Sequence, residues 1–263
     1  MKRQDFLDYM EEMAPASLAE GWDNVGMLVD CGAGEFHRVL IALEISESVV
    51  EEALEWGADL ILTHHPVMLR PIQRLDGGNA ESRCLLKMIR HGVSHFAAHT
   101  NLDCARRGTN AYLARGLGLL DAVPLEAKEG EAGMGRVGDL PLPCTARELC
   151  GRVKELLGIP AMRMAGDGER RITRLAVCSG SGADFAARAA EMGAQALLTG
   201  DLKHHAAAEA VGMGMVILDA GHFETERPIV HWLIEGLQEH FDRVQCNTAF
   251  RVSSAERPAI VIV

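Results

Sequence analysis

A motif that occurs twice at a constant spacing constrains the fold of this 263-residue chain more than any other feature. The segments RVLIALEIS and EEALEWGADLILTHHP align without a gap to RLAVCSGSG and ARAAEMGAQALLTGDL, at an offset of 136 positions that takes Arg38 to Arg174 and Gly57 to Gly193. Both copies contain the pattern GAxxxLT. A repeat at a fixed offset indicates an internal duplication, which here predicts two similar α/β domains.

Apolar, strand-like segments alternate with helix-like segments in the first copy. In chain order, they are the strand-like 38–46, the helix-like 46–57, the strand-like 58–65, the helix-like 81–92 and the strand-like 93–103. The first helix is expected to be capped by Ser46 or Ser48 and to end at Gly57. This βαβαβ order predicts a mainly parallel sheet flanked by helices.

The domain boundary is expected in a polar, weakly periodic stretch. Residues 120–134 read as a linker, which divides the chain into an N-terminal α/β domain, 1–125, and a C-terminal α/β domain, 126–263. The C-terminal segment could pack back on the first domain. Residues 251–263 end in a β-branched run, which predicts one more strand.

Polar side chains follow the strand ends in both copies. The stretches LTHH and LTGD end one pair of strands, and AHTNLD and AGHFETE follow the next strand of each half. Ligands of α/β proteins bind at the carboxyl ends of strands. If the two halves face one another, these stretches converge, which predicts a metal site in the cleft between the two domains.

Imidazoles and carboxylates at these ends are the candidate ligands, because histidine is the commonest metal ligand and carboxylates suit harder divalent ions. The candidates are His64, His65, His99, Asp103, His204, His205, His222, Glu224 and Glu226. Pro66 would turn the chain so that two adjacent histidines serve one site. The alternative is a solvated turn. His204 and His205 are placed in the first turns of a helix, and His95 on the less buried face of a strand.

Two further motifs each allow two interpretations. In WDNVG (22–26), Trp22 could pack as a core anchor, or the Asp–Asn pair could brace the cleft. In SGSG (179–182), the backbone could cradle a phosphate, although a tight strand-to-helix turn is the simpler interpretation.

Composition excludes several classes of partner. The net charge of −11 argues against binding to a nucleic-acid backbone and offers no attraction to an anionic membrane. The N-terminus has no apolar signal segment, and no stretch is long enough for a membrane span. Seven scattered cysteines with no CxxC indicate reduced thiols in the cytoplasm.

Taken in order, five motifs resemble those of the Nif-three-like family, often labelled GTP cyclohydrolase I type 2 homologues or dinuclear metal centre, hexameric proteins. They are WDNVG (22–26), LTHHP (62–66), AHTNLD (98–103), TGD (199–201) and GHFETE (221–226). The resemblance covers about residues 5–250 and indicates the short form of the family, without an inserted domain. It implies two similar α/β domains, a two-metal site between them and a toroidal homohexamer.

Carried over motif by motif, the resemblance implies five metal ligands: His64, His65, Asp103, His222 and Glu226. His99 belongs to a matching motif but is not carried over as a direct ligand. Family members often have a phenylalanine shortly after HHP, whereas VMLRP follows here. This difference affects the expected wall of the cleft that would face the substrate, and not the proposed metal ligands.

Two divalent ions per chain, whether Zn, Mn, Fe, Co or Ni, would suit a metal-dependent hydrolase. The family label suggests a nucleotide, with water attacking C8 of guanine, and a cyclic amide or a phosphoester is an equally suitable substrate. His99, His204 and His205 are candidate proton shuttles. The alternatives are a non-catalytic metal-binding or metal-handling scaffold that binds protein partners, and a ring whose ligands are relics.

Overall fold

The protein is described by a computed structural model, whose described residues are 1–261. The helices are α1 (Arg3–Met13), α2 (Glu47–Trp56), α3 (Ala80–His91), α4 (Thr100–Cys104), α5 (Thr109–Gly116), α6 (Ala146–Leu157), α7 (Ala186–Glu191), α8 (His204–Gly212), α9 (His222–Glu226) and α10 (Pro228–Arg243). The strands are β1 (Gly26–Val29), β2 (Arg38–Ala42), β3 (Leu60–Thr63), β4 (Ser94–Ala97), β5 (Leu120–Val123), β6 (Glu126–Ala127), β7 (Gly133–Met134), β8 (Arg136–Thr145), β9 (Arg163–Ala165), β10 (Arg171–Val177), β11 (Ala196–Thr199), β12 (Val216–Asp219) and β13 (Ala249–Val252).

The chain forms two compact units. The first consists of Met1–Leu102 and Ile229–Ala259, and the second of Asp103–Pro228 with the described residues after Ala259. The contacts therefore group residues 103–125 with the second unit, whereas the sequence places its boundary at residue 125. The segment 229–259 returns to the first unit.

The first unit contains a five-stranded sheet in the order β1-β4-β3-β2-β13. Strands β13, β2, β3 and β4 run parallel, and β1 pairs antiparallel with β4. Both neighbours of β3 are in register with it, so that Leu62 lies opposite Ile41 and Phe96. All four residues of β3 are buried. This is the mainly parallel sheet that the βαβαβ order predicts.

The second unit contains a six-stranded sheet in the order β5-β8-β10-β11-β12-β9. Its three strands β10, β11 and β12 are parallel, and β8 and β9 flank them antiparallel. Strand β5 and the small β6–β7 hairpin occupy residues 120–134, which the sequence suggested as a linker. Strands β5 and β6 are exposed throughout and have only four and two residues, so neither forms a buried apolar run.

Matching contacts occur in the two copies of the repeated motif. The guanidinium groups of Arg38 and Arg174 each donate to a helix-end carbonyl at 3.0 Å. The glycines that follow, Gly57 and Gly193, both have positive φ, at 70° and 82°. A side chain would be strained at that angle. These shared contacts agree with the predicted duplication.

Each sheet buries an apolar core that fixes its strands. In the first unit, Leu40, Ile61 and Leu62 are fully buried, and in the second unit Leu197 and Leu198 are. Burying each of these side chains stabilises the fold by about 1.5–3 kcal/mol. The residues that follow the carboxyl ends of these strands are therefore attached to rigid elements.

The C-terminal strand lies earlier than the sequence suggested. Strand β13 pairs in parallel with β2, and residues 259–261 form no strand. Residues 262 and 263, the end of the predicted β-branched strand, lie outside the described residues. Among the described helices, none is both long and apolar enough to span a bilayer.

Candidate metal centre

The adjacent histidines follow directly on strand β3. The His64 side chain is fully buried, and its Nδ1 lies 2.8 Å from the carbonyl oxygen of Ala98. Because a carbonyl only accepts, Nδ1 must carry the proton, which leaves the lone pair on Nε2. A backbone carbonyl that fixes the tautomer in this way is typical of metal-binding histidines.

Three histidines of the first unit come together, and we call them the histidine cluster: His64, His65 and His99. One ligand nitrogen from each lies within 4.8 Å of the others. His65 is partly exposed, and its Nδ1 is 3.7 Å from Glu44 Oε2. Three imidazole nitrogens at this spacing could hold a metal ion.

A buried hydrogen-bond chain supports the turn at His65. The Thr63 hydroxyl donates to the His65 carbonyl at 2.6 Å, and therefore accepts from His95 Nε2 at 2.7 Å. His95 is fully buried, and burial lowers its pKa to about 3. The expectation that His95 lies on a less buried face is wrong, because both neighbours of β4 and the flanking elements cover it. His95 is a neutral support for the cluster.

Asp23 orients the third histidine. Its fully buried carboxylate takes one bond from His99 Nδ1 at 2.8 Å, and two from Thr100, from N at 3.0 Å and from Oγ1 at 2.5 Å. Burial alone would raise the pKa of Asp23, but the hydrogen bonds from His99 and Thr100 outweigh it and hold the pKa well below its usual range. The aspartate of WDNVG therefore braces the cluster. The core-anchor interpretation of Trp22 is wrong, since that side chain is 62% exposed.

The second unit has its own histidine–carboxylate pair on the short helix α9. His222 Nε2 lies 3.1 Å from Glu226 Oε2, one helical turn away, and His222 Nδ1 lies 2.7 Å from Asp201 Oδ2. The hydrogen bond to Glu226 raises the pKa of His222 to about 9, with burial opposing and Asp201 adding to the rise. We call Asp201, His222 and Glu226 the acidic cluster.

Gly180 of the SGSG turn lies directly against the acidic cluster. A Cβ at this position would lie 2.2 Å from Glu226 Oε1 and 3.3 Å from His222 Nε2. Its φ is also positive, at 63°. Only glycine lets the backbone approach these two side chains so closely.

Three of the four backbone donors of the SGSG turn (179–182) are used within the protein. The side-chain oxygens of Asn110, Thr225 and Thr199 accept from three of its N–H groups, at 2.8–3.0 Å. A phosphate cradle needs such donors to point at a ligand. The structure therefore favours the tight-turn interpretation.

Asp103 lies in the second unit, near the same turn. It is 7% exposed, and its Oδ1 accepts from the Ser179 hydroxyl at 3.4 Å. The Asp103 carbonyl accepts from Asn110 Nδ2 at 3.2 Å. The thiol of Cys178 nearby has a raised pKa, chiefly from burial and further from the Asp103 charge. A carboxylate oxygen at this position could serve as a ligand of a divalent metal ion.

The remaining candidates lie at less enclosed positions. His204 and His205 begin α8, as predicted, and both are exposed, with ring centroids 5.5 Å apart. Glu224 lies over Gly221, where a Cβ would meet its Oε2 at 2.1 Å. A proton-shuttle role for these two histidines stays a prediction.

Sequence reasoning anticipated only part of the support for the histidines: a bracing role for the Asp–Asn pair of WDNVG was one of two interpretations, and no role was given to Asp201. Asp23 and Asp201 belong to motifs that were singled out, but their roles depend on contacts across 76 and 21 residues of chain. His95 and Gly180 carried no signal for their contacts.

The fold and these clusters define the class of the protein: an α/β protein with imidazole and carboxylate groups that could hold metal ions at its strand ends. The chain belongs to the Duf34/NIF3 (NGG1p interacting factor 3) family, whose sequence profile matches residues 1–258. The family resemblance drawn from the five motifs is thereby confirmed.

Individual relatives agree with this family. A Clostridium perfringens protein named "GTP cyclohydrolase 1 type 2 homolog" is 36% identical over 247 residues, covering 92% of this chain and 93% of the relative. A Streptomyces coelicolor protein of the same name is 37% identical, covering 89% and 85%. The solved structure of a Bacillus cereus protein related to NIF3 superposes with a TM-score of 0.93 at 22% identity, covering 100% of this chain and 99% of the other, which shows a shared fold.

Proposed function

We propose that this protein binds two divalent metal ions per chain through His64, His65, Asp103, His222 and Glu226, and that it is a metal-dependent hydrolase. The observation that carries the proposal is the pair His64 and His65 within the histidine cluster: one ligand nitrogen of each lies within 4.8 Å of the other, and the buried ring of His64 has its tautomer fixed by a carbonyl. A histidine in a solvated turn would not need a carbonyl to fix which ring nitrogen carries the proton.

The donor set fits divalent transition metals. Imidazole nitrogens and carboxylate oxygens together suit Zn, Mn, Fe, Co or Ni. In the acidic cluster, the His222–Glu226 contact keeps one nitrogen and one carboxylate together on α9. When bound, a pair of such ions supplies Lewis acidity and lowers the pKa of water.

The surrounding residues would orient the two imidazole rings. The carbonyl of Ala98 holds the proton on Nδ1 of His64, and Asp201 holds it on Nδ1 of His222. Nε2 of His64 is then left for ligation, whereas a metal ion would replace the proton that His222 Nε2 shares with Glu226. His99, paired with Asp23, is proposed as a proton shuttle rather than a ligand.

The names of the relatives guide the choice of substrate. Several carry the name "GTP cyclohydrolase 1 type 2 homolog". We therefore propose a nucleotide, or a related cyclic amide or phosphoester, as the substrate of this chain.

Hydrolysis of GTP and of an activated phosphodiester, measured on the metal-loaded protein, tests the proposal. We expect turnover that is lost on chelation, returns on metal addition, and falls at least 100-fold in His64→Ala, in line with the loss of a group that acts on the reaction. The matched control is His91→Ala, an exposed histidine at the end of α3. Metal binding without turnover of either substrate would support the non-catalytic scaffold instead.

We also propose a homohexamer in the cytoplasm, on the family resemblance. All seven cysteines are free thiols, which fits a reducing compartment. Light scattering should give a mass near six times the chain mass of 28.5 kDa. A monomer mass would contradict the assembly.

A further inference from the structure

Trp22 is the most exposed aromatic feature near the histidine cluster. Its side chain is 62% exposed, and its ring centroid lies 6.0 Å from that of His99, with the planes at 74°. A tryptophan exposed to this extent leaves a large apolar surface in water. Neither the fold nor the proposed metal ligands need it there.

The turn that carries Trp22 is fixed at both ends. The Asp23 N–H donates to the Glu20 carbonyl at 2.9 Å and closes the turn. The Glu20 N–H donates to Thr100 Oγ1 at 2.9 Å, and the Asp23 carboxylate is held by Thr100 and His99. The ring is therefore presented by a rigid support.

Asn24 adds a third attachment. Its Nδ2 donates to the Met68 carbonyl at 2.5 Å, which ties the turn to the segment after HHP. Trp22 is thus an exposed aromatic ring near the histidine cluster, on a turn with three attachments.

We propose that Trp22 is a substrate-binding residue whose indole stacks on a planar heterocyclic ring, next to the histidine cluster. The chain neighbours of Trp22 are Glu20, Gly21, Asp23 and Asn24, none of them apolar. One rigid aromatic ring suffices to stack on a flat small molecule. The inference rests on the proposed hydrolase function and deepens it by naming a residue that would bind the ring of the substrate.

Binding of small probes to the full-length protein, with and without chelation, tests this proposal independently of catalysis. The probes are guanosine monophosphate, nicotinamide mononucleotide and flavin mononucleotide, and ribose 5-phosphate is the control that lacks a ring. Calorimetry and tryptophan fluorescence give the affinities. The variants are Trp22→Phe, which keeps a stacking ring, and Trp22→Leu, which keeps only apolar bulk.

We expect at least one ring-bearing probe to bind more tightly than ribose 5-phosphate, also in the chelated protein. Trp22→Leu should weaken that binding roughly tenfold or more, with Trp22→Phe closer to wild type. Trp56→Phe serves as the matched control, because that ring packs under Arg251, 4.3 Å from its centroid.

Two results would overturn the proposal. One is equal affinity of wild type and Trp22→Leu for every probe, which includes the case in which none binds. The other is a change of assembly mass in Trp22→Leu with ring binding intact, which would place Trp22 at an interface between copies. A protein that binds no metal but still binds rings through Trp22 would refute the proposed hydrolase while retaining this site.

Discussion

Gly180 shows how a single residue without a side chain can be required by a site. Gly180→Ala would place a methyl group 2.2 Å from Glu226 Oε1 and force an L-residue to a φ of 63°. We expect a loss of about 2 kcal/mol or more in the free energy of unfolding, measured by urea denaturation.

The control for this prediction is Gly151→Ala, inside helix α6, where an added Cβ meets nothing within 4 Å. That change should stabilise the protein by up to about 1 kcal/mol. Equal stability of the two variants would contradict the account of Gly180.

Asp201 is expected to act on metal binding through His222. Asp201→Asn keeps the shape of the side chain but removes the charge that bonds His222 Nδ1 at 2.7 Å. We expect metal affinity to fall about 10- to 100-fold, measured by competition with a chelator. Asp121→Asn is the matched control, because both aspartates have positive φ, at 53° and 48°, and asparagine tolerates that angle. Similar affinities in the two variants would contradict the role of Asp201.

Because His95 is buried and neutral, we expect the stability of the protein to decrease as the pH falls. Its folded pKa, about 3, lies below the unfolded value of 6.5, so the folded state binds fewer protons between these values. Its contribution is therefore complete above pH 6.5 and is lost as the pH falls toward 3, by up to about 1.4 kcal/mol per pH unit. In His95→Asn the stability of the metal-free protein should fall less steeply between about pH 7 and pH 5 than in wild type. Parallel curves would contradict a buried neutral His95.

The candidate ligands could be predicted from the sequence because each lies in a short motif at a strand end. Their supports could not, since a hydrogen bond such as that from His99 to Asp23 joins residues 76 positions apart. The two interpretations of WDNVG stayed open for the same reason: nothing local distinguishes a buried tryptophan from one displayed on a turn.

At the scale of elements, helix caps set the boundaries that the apolar pattern leaves open. The sequence allowed either Ser46 or Ser48 to cap helix α2, and the structure selects Ser46, whose Oγ accepts from the Val49 N–H at 3.2 Å. Ser46→Ala should cost about 1 kcal/mol in thermal or urea unfolding. Ser48→Ala should cost less, and the reverse order would contradict the assignment.

The strands were predictable where they are buried and not where they are exposed. Strands β2, β3 and β11 form continuous apolar runs and lie inside the predicted segments. Strand β5 and the β6–β7 hairpin form in the segment interpreted as a linker, because pairing with a neighbour rather than apolar content holds them.

At the scale of the whole molecule, two α/β units each carry histidines and carboxylates at the ends of their strands. The repeated GAxxxLT pattern predicted the paired units, and family membership confirms the resemblance drawn from the motifs. The prediction that the two sets of ligands form one centre in a cleft stays a prediction. No local pattern in a sequence encodes how two separately folded sheets are placed.

Elemental analysis of the purified protein, prepared without chelator and scaled to chain concentration, tests the central claim most directly. The account predicts about two divalent ions per chain in wild type, as a two-metal site requires, and a clear loss in His64→Ala but not in His91→Ala. Near-zero metal after incubation with Zn, Mn and Fe would contradict it, and would leave the histidine cluster as a buried hydrogen-bonded turn.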